Sequence, residues 1–425
     1  GRPLASPGFR VYPEGMEVLG VPKSRPWWWY LGPGFLVSVG YMDPGNWATS
    51  LEAGSRYGLA LLFVVTLASA MAVLFQALAV RLGVATGKDL AEHMRARYPG
   101  SLGRLLFLTA FAAMVATDLA EFMGMAVALN LLFGLPLVLA AWLTVLDVFL
   151  ILYLERFGFR ALELAVSALV GVIGLAYVVE VVLARPEPGP LLQHLFLPSP
   201  APADPGALYV ALGILGATVM PHNLFLHSAQ VKTRLGEAGK RVYRLLLLDT
   251  ALALSGAWLV NAAILVVAAT VFHQRGLVIA DLAEAYHTLG PLLGPLAALA
   301  FGVGLLASGL SSTTTGTLAA QVVVEGFTQA RANPARLRLV TRLLAVLPAS
   351  LALTFHASPM ALIVLSQVVL SFQLPFTLFP LVRLVGEART MGSLVAPGWL
   401  RLLAWAGALL VLVLNLFLLV QALAS

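Results

Sequence analysis

The feature that most constrains this fold is a succession of apolar segments long enough to cross a lipid bilayer. Hydrophobic residues make up 60% of the 425 residues and charged residues only 11%, and the mean hydropathy is +0.91. A soluble domain carries roughly 25% charged residues, and a helix needs about 20 apolar residues to span the hydrocarbon core. The sequence therefore predicts an all-α polytopic membrane protein.

Eleven segments meet this length criterion. We predict transmembrane helices at residues 31–57, 58–84, 101–130, 135–154, 161–184, 206–232, 245–272, 292–326, 338–355, 359–382 and 399–423. We expect one transmembrane domain over residues 1–425 and no signal peptide. The chain has no cysteine, which excludes disulfides, thiolate metal ligands and cysteine nucleophiles. The familiar short motifs of hydrolases and phosphate-binding loops are also missing, so we expect no enzymatic activity.

The distribution of basic residues predicts the orientation of the chain. Loops on the cytoplasmic side of a membrane carry an excess of Lys and Arg. With a cytoplasmic N-terminus, all but three of the 26 Lys and Arg residues fall on the inner side, the exceptions being Arg56, Arg185 and Arg275. We therefore predict a cytoplasmic N-terminus and an external C-terminus. Because the positive charges lie in short loops, the net charge of +6 does not indicate a nucleic-acid partner.

Two of the apolar segments are interrupted by polar residues at corresponding positions. The first contains Gly40-Tyr41-Met42-Asp43-Pro44-Gly45-Asn46-Trp47, and the sixth contains Met220-Pro221-His222-Asn223, with Met220 following Asp43 by 177 residues. Irregular backbone is tolerated at membrane depth only where it is buried in protein or lines a cavity. Paired interrupted segments in the two halves of a transporter point to its binding site.

An odd number of spans in each half would invert the second half relative to the first. We predict an inverted repeat of five plus five helices, about 31–184 and about 206–382, followed by an extra helix at about 399–423. Helices 1 and 6 would be unwound at the middle of the membrane.

The first break offers oxygen ligands for a cation, and the second offers a sulfur ligand. Asp43, Asn46 and the carbonyl groups freed by the break supply a carboxylate, an amide oxygen and backbone oxygens. The Met220 thioether favours transition metals over Mg²⁺ and Ca²⁺. The alternatives are a proline kink whose Asp43 pairs with a distant arginine, and simple packing for Met220. Gln367, in the tenth segment, could add an oxygen ligand, although packing is its default role.

Several titratable residues at membrane depth indicate proton handling. Asp118 and Glu121 are three residues apart and share a helix face. With Arg234 and Arg342, near the cytoplasmic ends of helices 6 and 9, they would form either a proton relay or a structural ion-pair network. His222, in the second break, suits proton transfer because imidazole titrates near neutral pH.

At these residues the chain resembles the Nramp family of proton-coupled divalent-metal transporters, and most closely the bacterial manganese/proton symporters. The resemblance spans nearly the whole chain. It is carried by the two broken motifs Asp43-Pro44-Gly45-Asn46 and Met220-Pro221-His222-Asn223, by the helix-8 run from Gly309 to Glu325, and by Ser366-Gln367 and Gln373-Leu374-Pro375-Phe376 on helix 10.

The resemblance implies a LeuT-like fold and the import of Mn²⁺ and Fe²⁺ with H⁺ by alternating access. It implies the multi-pass plasma membrane of a bacterium, no cofactor, and no partners beyond these ions and the bilayer. The metal ligands would be Asp43, Asn46, the carbonyl of Ala217, Met220 and, in some states, Gln367. The proton pathway would include Asp43, His222, Glu121, Asp118, Arg234 and Arg342.

Three other functions fit parts of the sequence. A sodium-coupled symporter of organic solutes shares the predicted architecture but has no use for a thioether. A membrane-embedded metalloenzyme would use His222, Asp43 and Glu121 as ligands. A channel would share the polar path but would not show saturable flux driven by a pH gradient. The bulky Trp142, midway along helix 4, fits none of these functions.

Overall fold

The structure is a computed structural model that describes residues 27–149, 153, 159–200, 204–234 and 240–424. Within these ranges every regular element is a helix. The first half consists of α1 (Pro33–Ser38), α2 (Pro44–Tyr57), α3 (Leu62–Thr86), α4 (Leu90–Arg97), α5 (Ser101–Phe133), α6 (Leu137–Leu143) and α7 (Phe159–Ala184). A short helix, α8 (Pro188–Phe196), lies in the connection between the halves.

The second half and the C-terminal part follow the same helical pattern. They consist of α9 (Pro205–Thr218), α10 (Pro221–Gln230), α11 (Lys240–Val271), α12 (Leu282–Leu293), α13 (Pro295–Thr328), α14 (Pro334–Thr354), α15 (Pro359–Val385), α16 (Ala388–Met391) and α17 (Gly398–Ala424). Together the two halves confirm the prediction of an all-α polytopic membrane protein.

In the described part of the chain, eight helical stretches are long and apolar enough to cross a membrane. They coincide with the predicted second, third, sixth, seventh, eighth, ninth, tenth and eleventh segments. Three shorter apolar helices, Pro33–Met42, Leu137–Phe149 and Gly171–Ala184, lie within the predicted first, fourth and fifth segments. The end of the predicted fourth segment lies largely outside the described residues, and the total of eleven spans stays a prediction.

The first and sixth predicted segments are each divided into two helices. After α1 comes a 3-10 turn, Val39–Met42, and Asp43 is extended, with φ −72° and ψ 165°. After α9 the backbone leaves the helical region at Val219, and Met220 is extended, with φ −67° and ψ 120°. Proline then opens both α2 and α10, a position where its missing N–H removes no helical hydrogen bond. Asp43 and Met220 are therefore the N-cap residues of the two new helices.

Glycines let neighbouring helices approach the breaks closely. A Cβ on Gly45 would lie 2.6 Å from Oε1 of Gln367 on α15, and a Cβ on Gly216 would collide with the backbone carbonyl of the same residue. A Cβ on Gly124 of α5 would collide with the Pro44 ring. Small residues permit such close packing between membrane helices. The result is that α2, α5, α9 and α15 enclose the first break.

The start of α1 is fixed by a buried carboxylate. Asp249 on α11 accepts hydrogen bonds from the backbone N–H groups of Gly32 (3.2 Å) and Gly34 (2.6 Å). A negative charge is favourable at this position because a helix N-terminus carries unpaired N–H groups and a partial positive charge. Trp142 on α6 is 39% exposed, so its ring faces away from the protein core.

Candidate functional site

The two helix breaks meet through the side-chain amide of Asn46. Oδ1 of Asp43 accepts hydrogen bonds from the Asn46 backbone N–H (2.9 Å) and from Asn46 Nδ2 (2.7 Å). The same Nδ2 donates to the backbone carbonyl of Ala217 (2.9 Å), in the last turn of α9. Three residues that the resemblance assigned to one site are thus joined by direct hydrogen bonds across the two halves of the chain.

Met220 contributes a buried sulfur atom at the second break. Its side chain is fully buried, and its Sδ accepts a hydrogen bond from Nδ2 of Asn223 at 3.5 Å. The Asn223 amide also packs against the first break, because a Cβ on Gly40 would collide with Nδ2 and lie 3.0 Å from Oδ1. The second break therefore contacts the first at a second place, beside Met220.

Four buried oxygen atoms around these breaks accept no hydrogen bond within the described residues. They are Oδ2 of Asp43, Oδ1 of Asn223, Oδ1 of Asn261 on α11 and Oε1 of Gln367. An unsatisfied buried polar group costs about 1–3 kcal/mol, so each requires an explanation. Oxygen atoms without donors, beside a thioether, are the chemical environment that a transition-metal cation prefers.

The donor set here is mixed. No group of three or more His, Cys, Asp and Glu residues suited to a metal ion occurs in the described ranges. A cation at the breaks would therefore be held by one carboxylate, by amide and carbonyl oxygens, and by the Met220 sulfur.

Further polar residues hold the site in place, and sequence reasoning did not assign them a role. Asn261 on α11 donates through Nδ2 to the Tyr41 carbonyl (2.8 Å) and to Oδ1 of Asn46 (3.2 Å). Thr218 Oγ1 donates to the same Oδ1 at 3.3 Å. Their only signal in the sequence was a polar side chain in an apolar segment, which is shared by many packing residues.

A buried ion-pair network lies beside the site. On α14, Arg338 Nη1 lies 2.6 Å from Asp118 and 3.2 Å from Glu121, and its Nη2 lies 2.9 Å from Asp147. Arg342 Nη2 lies 2.9 Å from Asp118 and 2.6 Å from Asp147. All five side chains are buried. Three carboxylates face two guanidinium groups, so the fully ionised network carries one excess negative charge.

The structure brings Asp118, Glu121 and Arg342 together, as both predicted alternatives for these residues require. The structure also places Arg338 in the network. The sequence had suggested a cytoplasmic loop charge at this position, because the predicted ninth helix began at residue 338. Since α14 begins at Pro334, Arg338 lies one turn inside the helix. Arg234 lies in the 3-10 turn Val231–Arg234, where its Nη1 donates to Thr233 at 3.4 Å.

The run from Gly309 to Glu325, which lies on α13 (the predicted eighth transmembrane helix), packs against this network. Thr313 on α13 accepts a hydrogen bond from Arg338 Nη2 at 2.7 Å. A Cβ on Gly316 would lie 2.7 Å from Oε1 of Glu121. The small and hydroxyl-bearing residues of this run therefore make room for the charged side chains and provide an acceptor for one of them.

His222 lies between the second break and the ion-pair network. Its Nδ1 is 3.3 Å from Thr117 Oγ1 on α5. A small polar cavity, with room for about one water molecule, is lined by Met114, Thr117, Asp118, Glu121, His222, Gly316, Ala320, Arg338 and Thr341. Imidazole and carboxylates that share such a cavity can exchange a proton through one water.

Comparison with known proteins gives concordant matches over most of the chain. Residues 34–421 match the family model described as Nramp, natural resistance-associated macrophage protein-like. The divalent metal cation transporter MntH of Xanthomonas campestris pv. campestris is 49% identical over 411 residues, which cover 94% of this chain and 93% of that protein. MntH of Nostoc sp. is 46% identical over 423 residues, covering 97% and 96%.

Solved structures of similar fold agree with these sequence matches. The Eremococcus coleocola manganese transporter, in complex with an aromatic bis-isothiourea substituted compound, matches with a TM-score of 0.84 and 36% identity, covering 93% of this chain and 88% of that one. MhsT in complex with L-phenylalanine matches with a TM-score of 0.58 and 16% identity, covering 90% and 98%, which shows a fold shared with LeuT-fold transporters. The first two relatives and the Eremococcus protein are named as transporters, not enzymes, in agreement with the expectation for this chain. From the family match and these identities, the chain belongs to the Nramp family.

Proposed function

We propose that this protein imports Mn²⁺ and Fe²⁺ together with H⁺ across the plasma membrane of a bacterium by alternating access. The observation that carries the proposal is the junction of the two helix breaks, where one amide group of Asn46 bonds both Asp43 and the Ala217 carbonyl. The names of the relatives, divalent metal cation transporter and manganese transporter, support the class of substrate.

The metal ion is bound by Asp43, Asn46, the Ala217 carbonyl and Met220, and Gln367 joins in some states. Asn46 Nδ2 bonds Asp43 and Ala217, while its Oδ1 accepts from Thr218 and Asn261. To bind a cation through Oδ1, Asn46 must release at least one of the two hydrogen bonds that this oxygen accepts, and it can keep the Nδ2 bond to Asp43. Metal binding is thereby coupled to the side chains of Thr218 and Asn261.

Met220 provides selectivity for transition metals. Mg²⁺ and Ca²⁺ prefer sites made only of oxygen atoms, whereas a thioether ligand favours softer cations. A site that replaces one oxygen by a sulfur discriminates against the two hard cations without excluding Mn²⁺ or Fe²⁺.

Proton transport uses the network beside the metal site. Asp43 holds a proton in the absence of metal and gives it up when the cation arrives, because a nearby positive charge favours the carboxylate. The proton then passes by His222, Glu121 and Asp118. Arg234, Arg342 and, as we add, Arg338 line this path; their guanidinium groups stay protonated and favour the ionised form of nearby carboxylates. A membrane potential that is negative inside assists the entry of these cations by about 2.3 kcal/mol per charge per 100 mV.

The test is Mn²⁺ uptake into sealed proteoliposomes, with and without an inward proton gradient. The parent protein should take up Mn²⁺ faster when the outside is acidic, and Asp43→Ala should abolish uptake. Glu187→Ala, which removes an exposed carboxylate at the start of α8, is the matched control and should transport like the parent. Uptake that does not depend on Asp43 would show that the site is misplaced.

A further inference from the structure

The two helix breaks share an arrangement of N-cap residue, proline and asparagine. Asp43 and Met220 are the N-cap residues, Pro44 and Pro221 occupy the first helical position, and an asparagine, Asn46 or Asn223, occupies the third. Each pair is separated by the same interval of 177 residues. Two side-chain contacts of the first break have counterparts in the second.

In both breaks the asparagine side chain donates to the side chain of its own N-cap residue. Asn46 Nδ2 lies 2.7 Å from Oδ1 of Asp43, and Asn223 Nδ2 lies 3.5 Å from Sδ of Met220. The side chains that receive these bonds are the proposed carboxylate and thioether ligands of the transported metal.

Each asparagine also contacts the opposite break at an equivalent place. Asn46 donates to the carbonyl of Ala217, three residues before Met220. Asn223 packs against Gly40, three residues before Asp43, where a Cβ would collide with the amide. Each amide therefore contacts both its own N-cap residue and the opposite break, which Asn46 reaches by a hydrogen bond and Asn223 by packing.

We propose that Asn223 is a positioning residue that holds the Met220 thioether toward the transported cation, as Asn46 holds Asp43. A methionine side chain has three rotatable bonds and adapts to many environments, so a ligand sulfur must be oriented. An N–H bond to one lone pair of the sulfur leaves the other lone pair for the metal. Oδ1 of Asn223 has no partner in the described residues, so within this part of the chain the amide is anchored through its nitrogen.

This inference rests on the proposed metal site, and it concerns discrimination between soft and hard cations. Partners that orient a metal ligand typically change metal affinity by about 10–100-fold when removed. Because the Asn223 amide donates to the sulfur, its loss should weaken the binding of soft Cd²⁺ more than that of harder Mn²⁺. Loss of Asn223 Oδ1 as an oxygen ligand would instead weaken Mn²⁺ binding at least as much as Cd²⁺ binding. A substitution that disturbed Asp43 or the fold would weaken the binding of Cd²⁺ and of Mn²⁺ alike.

The experiment measures Cd²⁺ and Mn²⁺ affinities of the purified full chain in detergent by isothermal titration calorimetry. We expect Asn223→Ala to lower Cd²⁺ affinity about tenfold and Mn²⁺ affinity much less. In a Met220→Ala background the same substitution should leave the Cd²⁺/Mn²⁺ ratio unchanged, because the sulfur is already gone. Asn223→Leu keeps a side chain of similar size without the N–H and adds no charge, and it carries the same test if Asn223→Ala fails to fold.

Asn415→Ala is the control for loss of a buried amide. The side chain of Asn415, on α17, hydrogen-bonds Ser371 and Val411, neither of which belongs to the two breaks, so its variant should keep the parent ratio. An unchanged ratio in both Asn223 variants, or effects of Asn223 and Met220 that multiply in the double variant, would overturn the proposal. Asp43→Ala separates this result from a failure of the proposed site. If Asp43→Ala still binds Mn²⁺ normally, the proposed metal site is wrong. If Asp43→Ala does not bind Mn²⁺, an unchanged Cd²⁺/Mn²⁺ affinity ratio in the Asn223 variants refutes only the role of Asn223.

Discussion

At the scale of single residues, Asn46 joins the two halves of the site because of its place in α2. As the third residue of that helix, its backbone N–H has no partner within the helix and is instead satisfied by Asp43. Its side chain is then free to reach Ala217 on α9. The same local geometry that starts a helix after Pro44 therefore builds the contact between the breaks.

The excess of carboxylates in the ion-pair network makes Arg338 essential for stability. Removing one partner of a buried ion pair costs roughly 3–5 kcal/mol, because the remaining charge stays buried. Arg338→Gln should therefore lower the unfolding temperature in detergent markedly, as measured by differential scanning fluorimetry. Arg336→Gln, on the exposed face of the same helix, should unfold like the parent.

A second substitution tests whether the loss of charge balance causes the expected destabilisation by Arg338→Gln. Asp147→Asn in the Arg338→Gln background restores the single excess negative charge of the parent network. It should recover part of the lost stability. If Arg338→Gln unfolds at the parent temperature, the network does not depend on this guanidinium, and the account of its charge is wrong.

The sequence was informative about side chains and uninformative about contacts made by the backbone. The spacing of Asp43 and Asn46 in an interrupted apolar segment identified them as ligand candidates. Ala217 entered only through the family resemblance, since its contribution is a carbonyl that every residue possesses. Arg338 was missed because an arginine near a predicted helix end looks like a loop charge until packing shows that it points inward.

At the scale of helices, the close approach of α9 to α15 depends on Gly216. A Cβ there would collide with the Gln367 carbonyl and lie 2.8 Å from the backbone nitrogen of Ser371. Because both contacts involve backbone, no side-chain rotation can relieve them.

Gly216→Ala should therefore destabilise the protein and lower Mn²⁺ uptake, because α15 must shift together with Gln367. Gly256→Ala is the matched control, since a Cβ on this helical glycine of α11 meets nothing within 4 Å. In thermal unfolding and uptake assays we expect a large difference between the two variants. Equal behaviour would show that α9 and α15 tolerate separation.

Pro-Gly in the first apolar segment predicted a break, but not its form. The structure has a 3-10 turn, Val39–Met42, before Asp43. The Met42 carbonyl at the end of this turn accepts hydrogen bonds from Trp47 Nε1 (3.2 Å) and from Ser308 Oγ on α13. The bond from Ser308 spans 266 residues, so local sequence cannot reveal the partner that satisfies this carbonyl.

At the scale of the whole molecule, the predicted topology places the connection between the halves outside and the α13–α14 connection inside. Since the chain has no cysteine, single cysteines can report this without background. In intact cells, Glu187→Cys should react with a membrane-impermeant maleimide, and Arg331→Cys should react only after permeabilisation. Both positions are exposed, so the reverse pattern would contradict the assigned orientation.

We propose that the transported metal ion binds where the two breaks meet, and anomalous diffraction from crystals of the parent protein soaked in Mn²⁺ can locate it. We expect one strong anomalous peak within coordination distance, about 2–2.5 Å, of the Asp43 carboxylate and the Ala217 carbonyl, beside the Met220 sulfur. The peak should disappear in Asp43→Ala crystals. A peak at another place in the membrane region, or one that persists without Asp43, would contradict this proposal.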